Sequence, residues 1–331
     1  MGDLCGIGPE VVAKAVAEPA PDLAAKLCVI GDVAVMRRAM DWAGVKLPLL
    51  SLSTLDEAET LPPGCVAVWQ PEGMAADLLA CPVGQIDARA GAAAALCIAA
   101  AVTAIQAGQA DALVTAPIHK EALHAAGVGY PGHTEMLQAM AANGGEVAPV
   151  RMMLANQELR VVLVTIHCSL RQAIDLISLE RVLETIRIAQ RAMLNFGLKA
   201  PRIAVAGLNP HAGEGGLFGD EEIRHIAPAI ARARAEGIDA SGPYAPDTVF
   251  MRARDALGHA GEFDVVVAMT HDHGLIPVKY LGVEQGVNVS LGLPFVRTSP
   301  DHGTAFDLAG SGRADASSMK AALAMAASML A

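Results

Sequence analysis

Three stretches of this chain share one layout: an apolar run of strand length that gives out at a histidine. "RVVLVTIH" ends in His167, "RIAVAGLNPH" reaches His211 through Asn209 and Pro210, and "FDVVVAMTH" ends in His271. Runs that are apolar at nearly every position, rather than at alternate ones, suit strands buried on both faces of a sheet. Four further runs look alike ("LCVIGD", "CVAVW", "ALVTAP" and "GVNVSL"), and helical patterns lie between them. In "SLERVLETIRIAQRAMLNFG", Leu179, Val182, Leu183, Ile186 and Ile188 recur near helical spacing, and Gly197 supplies a stop. "DEEIRHIAPAIARARAEG" reads as a helix too. Strand and helix in alternation predict an α/β fold with a mostly parallel sheet covered on both faces. A length of 331 residues allows one large or two medium domains.

Composition narrows the function. The net charge of −11 opposes nucleic acid as a partner, because phosphate backbones select basic surfaces. With 3% aromatic residues a base-stacking surface is not expected either. A small anion is still compatible, since local basic residues dominate inside a cleft. The six cysteines form no C-x-x-C pair, which points to buried free thiols in a reducing compartment. "MGDLCGIGPE" lacks the basic and apolar regions of a signal peptide, and the alanine-rich stretch 91–108 reads as a core helix rather than a membrane span. The expected location is the cytoplasm, with no membrane partner.

In open α/β sheets, ligands lie beyond the carboxyl ends of the strands. Neutral imidazoles from three parallel strand ends, His167, His211 and His271, can meet on one divalent ion and leave positions open for a substrate. Taken singly, each is a hydrogen-bonded loop histidine. If the chain stayed extended after Thr270, His271 and His273 would face the same side and either would serve; Gly274 suggests an immediate turn that lets only one reach. Asp272 is placed to orient an imidazole. A second set of residues suits anions. His133 and Thr134 in "GYPGHTEML" open a helical pattern, where free N–H groups and the helix dipole favour negative charge. Lys279, Asn288 and Arg297 recur at spacings of nine in an otherwise apolar region, two cations and an amide for a phosphate or carboxylate. No G-x-G-x-x-G, P-loop or G-x-S-x-G motif is present.

The stretches "GDLCGIGPE", "TAPIHKEAL", "GYPGHTEML", "GLNPHAGEGGLFGDEE", "GPYAPDTVF", "AMTHDHGLIPVK" and "GVNVSLGLPFVRTSPDHGTAFDLAG" run in order from residue 2 to about residue 310. Together they resemble the 4-hydroxythreonine-4-phosphate dehydrogenase family, whose relatives oxidise other four-carbon phosphosugar acids. The resemblance implies a two-domain α/β/α fold similar to isopropylmalate and isocitrate dehydrogenases, with the active site in the interdomain cleft at a homodimer interface. Residues 1–130 with 300–331 would form the outer domain and 131–299 the central one, carrying the metal site and the dimer contacts. It implies NAD or NADP as cofactor, and a divalent metal (zinc first; magnesium, manganese or cobalt as alternatives) on His167, His211 and His271, which favours His271 over His273. His133, Thr134, Lys279, Asn288 and Arg297 match the family's substrate-binding residues. For the general base, Asp247 and a water relayed by Asp272 are the two candidates.

The implied reaction oxidises 4-hydroxythreonine 4-phosphate to 2-amino-3-oxo-4-phosphobutanoate, which decarboxylates to 3-amino-2-oxopropyl phosphate on the route to pyridoxal phosphate. Its rivals are oxidation of 4-phospho-D-threonate or 4-phospho-D-erythronate, a cis-dihydrodiol dehydrogenase, a metal hydrolase, and a non-catalytic phosphosugar-binding protein. The chain departs from the family pattern in three places. Leu4 and Cys5 stand for Pro-Ala, the strand expected before "GDLCGIGPE" has no room, so that either the start is misassigned or truncated or the strand is missing, and Thr270 and His273 replace the usual Tyr and Gln.

Overall fold

The computed structural model describes residues 1–19, 23, 27–62, 64–142, 145 and 147–330. Among these the strands are β1 (Val29–Ile30), β2 (Leu49–Leu52), β3 (Val66–Trp69), β4 (Ala112–Val114), β5 (Arg151–Ala155), β6 (Arg160–Leu163), β7 (Ile203–Ala206), β8 (Ala240–Tyr244), β9 (Val265–Ala268), β10 (Val287–Leu291) and β11 (Val296–Pro300). The α-helices are α1 (Gly8–Ala17), α2 (Val33–Ala43), α3 (Ala88–Gln106), α4 (Lys120–Ala125), α5 (His133–Ala142), α6 (Leu170–Leu176), α7 (Leu179–Asn195), α8 (Ala227–Ala235), α9 (Val249–Ala253), α10 (His271–Tyr280) and α11 (Ser317–Ser328). The chain forms two compact units, Met1–Ala148 with Leu293–Ala327, and Pro149–Gly292 with Ser328–Ala331.

In the first unit β1, β3 and β2 form a parallel sheet in that order, and β4 pairs in parallel with β11. Helix ends follow local chemistry. Asp32 caps α2 by accepting from Val35 N (2.7 Å), and Gly44 at φ +70° ends it. Leu4, Val35, Met36, Val68 and Leu78 are buried together as the core of this unit. Among the described residues α3 is the one helix long and apolar enough to cross a membrane. Half of that stretch is buried within the protein, and Gly91 lies so near α4 that a Cβ there would come within 2.1 Å of the Ala122 carbonyl oxygen. That packing is the core-helix arrangement read from its alanines.

In the second unit the strand order is β10-β5-β6-β9-β7-β8. β5 is antiparallel to both neighbours, whereas β6, β9, β7 and β8 run parallel. The β5–β6 hairpin closes on buried Asn156, whose side-chain oxygen accepts from Glu158 N and Leu159 N at 2.9 Å. Its amide reaches Val278 O of α10 at 3.2 Å. Leu154, Val161, Leu163, Ala204, Val266, Leu275 and Val278 pack into one core beneath α10.

Gly274 sets how closely α10 lies on the sheet. A Cβ there would fall 2.3 Å from Leu163 Cδ2 and 2.9 Å from Val161 Cγ1. Gly274→Val should therefore cost about 1–3 kcal/mol through overpacking. Tm should fall by roughly 2–4 °C per kcal/mol in thermal denaturation. An unchanged Tm would show that the helix can move off the sheet freely.

Candidate active site

The ends of three adjacent strands define the site. β9 lies between β6 and β7, parallel to both, with Leu163 opposite Ala268 and Val205 opposite Val267. Neighbouring strands are about 4.8 Å apart, so the segments beyond their carboxyl ends emerge side by side on one edge of the second unit. Pairing between β6 and β9 continues past the strands. Val164 N donates to Ala268 O (2.9 Å), Thr165 N to Met269 O (3.2 Å), and Thr165 Oγ1 to the same oxygen (2.8 Å). This ladder carries His167 up to His271, with ring centroids 5.8 Å apart.

α10 begins at His271 itself, directly after Thr270. The extended alternative, with His271 and His273 on one side, is corrected by this helix: two residues turn the side-chain direction by about 200°. His271 Nδ1 donates to the Asp272 carboxylate at 2.8 Å. An ionised carboxylate only accepts, so Nδ1 donates; in a neutral ring that leaves the lone pair on Nε2. After His167, the turn is closed by a capping box in which Ser169 and Gln172 bond reciprocally at the start of α6.

His211 arrives differently. β7 ends at Ala206, earlier than the expected Leu208, and Gly207 N bonds Tyr244 O (2.7 Å). The chain then makes a left-handed turn, with His211, Ala212, Gly213, Glu214 and Gly215 at φ between 43° and 80°. The turn wraps the buried carboxylate of Glu222. Glu222 Oε1 accepts from Leu208 N (2.7 Å) and Asn209 N (2.8 Å), and Oε2 accepts from Asn209 Nδ2 (2.9 Å). Glu222 opens a π-helical turn, Glu222–Ile226, that runs into α8. Nothing in the sequence reading singled out Glu222; its signal was an acid just after a glycine-rich loop.

Non-glycine residues at positive φ each cost about 1–3 kcal/mol and concentrate at functional sites. Here His167 (φ 45°), His211 (φ 53°), Ala212 and Glu214 belong to that class. Among the described residues, however, no three His, Cys, Asp or Glu side chains gather closely enough to hold a metal ion. Of the three imidazoles expected to share one, the structure brings together His167 and His271, while the left-handed turn sets His211 beside Phe218 (ring centroids 6.0 Å). In kind the donors suit a divalent ion, being imidazoles with one oriented by a carboxylate; in number, one chain gathers two of them.

Asp247 is exposed in the turn after β8, at the same edge of the sheet. Lys279 is exposed in the last turn of α10, and Asn288 is half-buried in β10 opposite Leu154. In the first unit, His133 and Thr134 open α5. Arg297 in β11 is 4% exposed and donates to Thr115 Oγ1 at 2.6 Å. Burial pushes its guanidinium down to about 10, so it stays cationic at neutral pH.

His133 keeps some exposed surface, but its Nε2 is enclosed and makes no hydrogen bond. Burial first, and the Arg297 charge second, hold its pKa well below the ordinary 6.5. The unfolded chain then binds the proton first, so this group removes stability as pH falls below about 6.5 and contributes nothing above it. His133→Gln should flatten that acid limb in denaturant titrations at stepped pH, and an unchanged limb would count against a neutral, enclosed ring.

Comparison with known proteins bears on the whole chain. A 4-hydroxythreonine-4-phosphate dehydrogenase of Beijerinckia indica is 53% identical over 323 residues, covering 97% of this chain and 91% of that protein. A D-threonate 4-phosphate dehydrogenase of Salmonella typhimurium is 44% identical over 333 residues, covering 98% and 96%. The crystal structure of 4-hydroxythreonine-4-phosphate dehydrogenase from Klebsiella pneumoniae superposes with a TM-score of 0.88 at 41% identity, covering 100% of this chain and 96% of that one. The family model for pyridoxal phosphate biosynthetic protein PdxA matches residues 23–326, and the chain belongs to that family.

Proposed function

We propose that this protein is a nicotinamide-dependent dehydrogenase that oxidises 4-hydroxythreonine 4-phosphate to 2-amino-3-oxo-4-phosphobutanoate, a β-keto acid that then loses carbon dioxide. The observation that carries the reading is the placing of His167 and His271 at paired strand ends, with His271 Nδ1 held by Asp272, in a chain 53% identical to an enzyme of that name. When bound, the nicotinamide accepts the hydride, and a divalent ion, zinc first among the candidates, polarises the reacting hydroxyl. His167, His211 and His271 would hold that ion. Asp272 keeps the His271 ring in the tautomer that exposes Nε2. Asp247, at the same edge, is a candidate to take the hydroxyl proton, and a water relayed by Asp272 is the other.

The anionic groups of the substrate are assigned to two sets of residues. Arg297 is buried and cationic, and the enclosed Nε2 of His133 lacks a hydrogen bond, so both offer donors to a phosphate or carboxylate. Thr134 lies at the start of α5; in the second unit, Lys279 and Asn288 are the other set. Such contacts, remote from the reacting carbon, align it for hydride transfer.

A homodimer belongs to the same reading. Leu170, Leu217 and Ile276, each following one of the three histidines, are 67%, 72% and 64% exposed, an apolar rim that a second copy would cover. That copy would bring a further imidazole to the pair gathered here. Leu217→Asp should shift the protein towards monomer in sedimentation velocity and weaken activity in step; an unchanged dimer would place the interface elsewhere. A cytoplasmic location belongs to the same reading.

The second reading, oxidation of 4-phospho-D-threonate or 4-phospho-D-erythronate, is supported by the 44% identical D-threonate 4-phosphate dehydrogenase. A kcat/KM panel decides between them, with each phospho-acid offered in turn with NAD and with NADP. The proposal requires the highest value for 4-hydroxythreonine 4-phosphate. A preference for either aldonic acid phosphate would transfer the assignment to sugar-acid catabolism.

A further inference from the structure

We infer that Glu222 is a positioning residue for His211, an assignment that rests on the reading of His211 as a metal ligand. His211 has no strand or helix of its own to fix it. It sits in a left-handed turn whose non-glycine residues would, left to themselves, relax to negative φ. Opposing that relaxation is the Glu222 carboxylate, 3% exposed, which accepts three hydrogen bonds from the two residues preceding Pro210. Hydrogen bonds to a buried charge are the strong kind, and losing the acceptor would strand two backbone amides.

Close packing around the carboxylate shows that the loop is fitted to it. A Cβ on Gly207 would approach Glu222 Oε1 to 3.0 Å, and one on Gly213 would approach Oε2 to 2.8 Å. A Cβ on Gly219 would meet Asn209 Nδ2 at 2.4 Å. Asn209 Nδ2 also reaches Glu221 (2.7 Å), so its amide spans both acids. The glycine spacing of "GLNPHAGEGGLFGDEE" thus follows from a loop wrapped on Glu222. The π-helical turn that begins at Glu222 belongs to the same device, since such turns displace one residue from the regular helical path. The chain spends local strain and a buried carboxylate on the turn that carries His211.

The test uses the full-length protein, stripped of metal and titrated with Co²⁺, with the visible absorption of the ion as readout. Wild type, Glu222→Gln and His211→Ala are compared, and kcat and KM for 4-hydroxythreonine 4-phosphate are measured alongside. In Glu222→Gln the amide oxygen still accepts from the backbone, but its NH₂ faces the Asn209 NH₂, donor against donor. The expected result is Co²⁺ affinity weakened by about 10–100-fold and kcat lowered in proportion, with KM nearly unchanged. Wild-type Co²⁺ affinity in Glu222→Gln, together with loss in His211→Ala, would overturn the positioning role and leave the metal reading standing. Wild-type affinity in His211→Ala would overturn both. If Glu222→Gln does not fold, Asn209→Ala decides, because it removes only the side-chain half of the network: weakened Co²⁺ binding supports the role, and unchanged binding overturns it.

Discussion

Replacing His271 by alanine should lower kcat by about 10³-fold, comparable to removing a principal electrostatic stabiliser from an active site. The expectation follows from its position. β9 lies between the other two histidine-bearing strands, and the His167 ring comes to 5.8 Å from that of His271. The His271 tautomer is set by a neighbour, through the 2.8 Å bond to Asp272. His271 is half-buried at the first position of α10, so truncation removes little packing and the fold should survive. Steady-state kinetics with circular dichroism would separate lost chemistry from lost structure. Asp272→Asn should cost less, about 10–100-fold, because it leaves the imidazole in place and removes only its orientation. A His271→Ala protein with near-normal kcat would remove the strand-end site from the account.

Arg297→Met should raise KM for the phospho-acid by about 100-fold, the loss expected when a charged donor is withdrawn from an anion. Its effect on stability should be small or favourable. Burial already lowers the Arg297 pKa to about 10, which shows that the folded protein disfavours this charge. Replacing a buried charge by an apolar side chain of similar volume is often neutral or stabilising. The signature is therefore a protein that melts no lower than wild type yet binds substrate poorly. Arg297→Lys should not rescue it fully, since an ammonium cannot reproduce the planar fork. A large fall in Tm with KM unchanged would make Arg297 a structural residue.

The parallel core was legible because strands buried on both faces announce themselves in composition: each of the seven apolar runs contains a strand. Three of the four strands that went unread have reasons. β8 is "ASGPY", whose Gly-Pro pair argues against a strand, and it survives at the end of the strand order where a missing N–H is tolerated. β5, "RMMLA", carries methionines in place of β-branched residues. β11, "VRTSP", is polar yet buried because its side chains find partners: Arg297 bonds Thr115, and Thr298 Oγ1 bonds Ala322 O (2.8 Å).

Of the candidate site, the neighbouring places of His167 and His271 could be read because their apolar runs stop just before them. The left-handed backbone of His167 and His211 could not, since neither residue type demands positive φ. Glu222 was invisible for another reason: two of its three bonds come from main-chain amides 13 and 14 residues upstream, which leave no trace in side-chain identity.

Nicotinamide reduction with 4-hydroxythreonine 4-phosphate, before and after exhaustive removal of divalent metal, tests the central claim most directly. The account predicts that the rate falls to background on stripping and returns when a divalent ion is restored to the wild type but not to His271→Ala. Undiminished reduction by the stripped protein would contradict it.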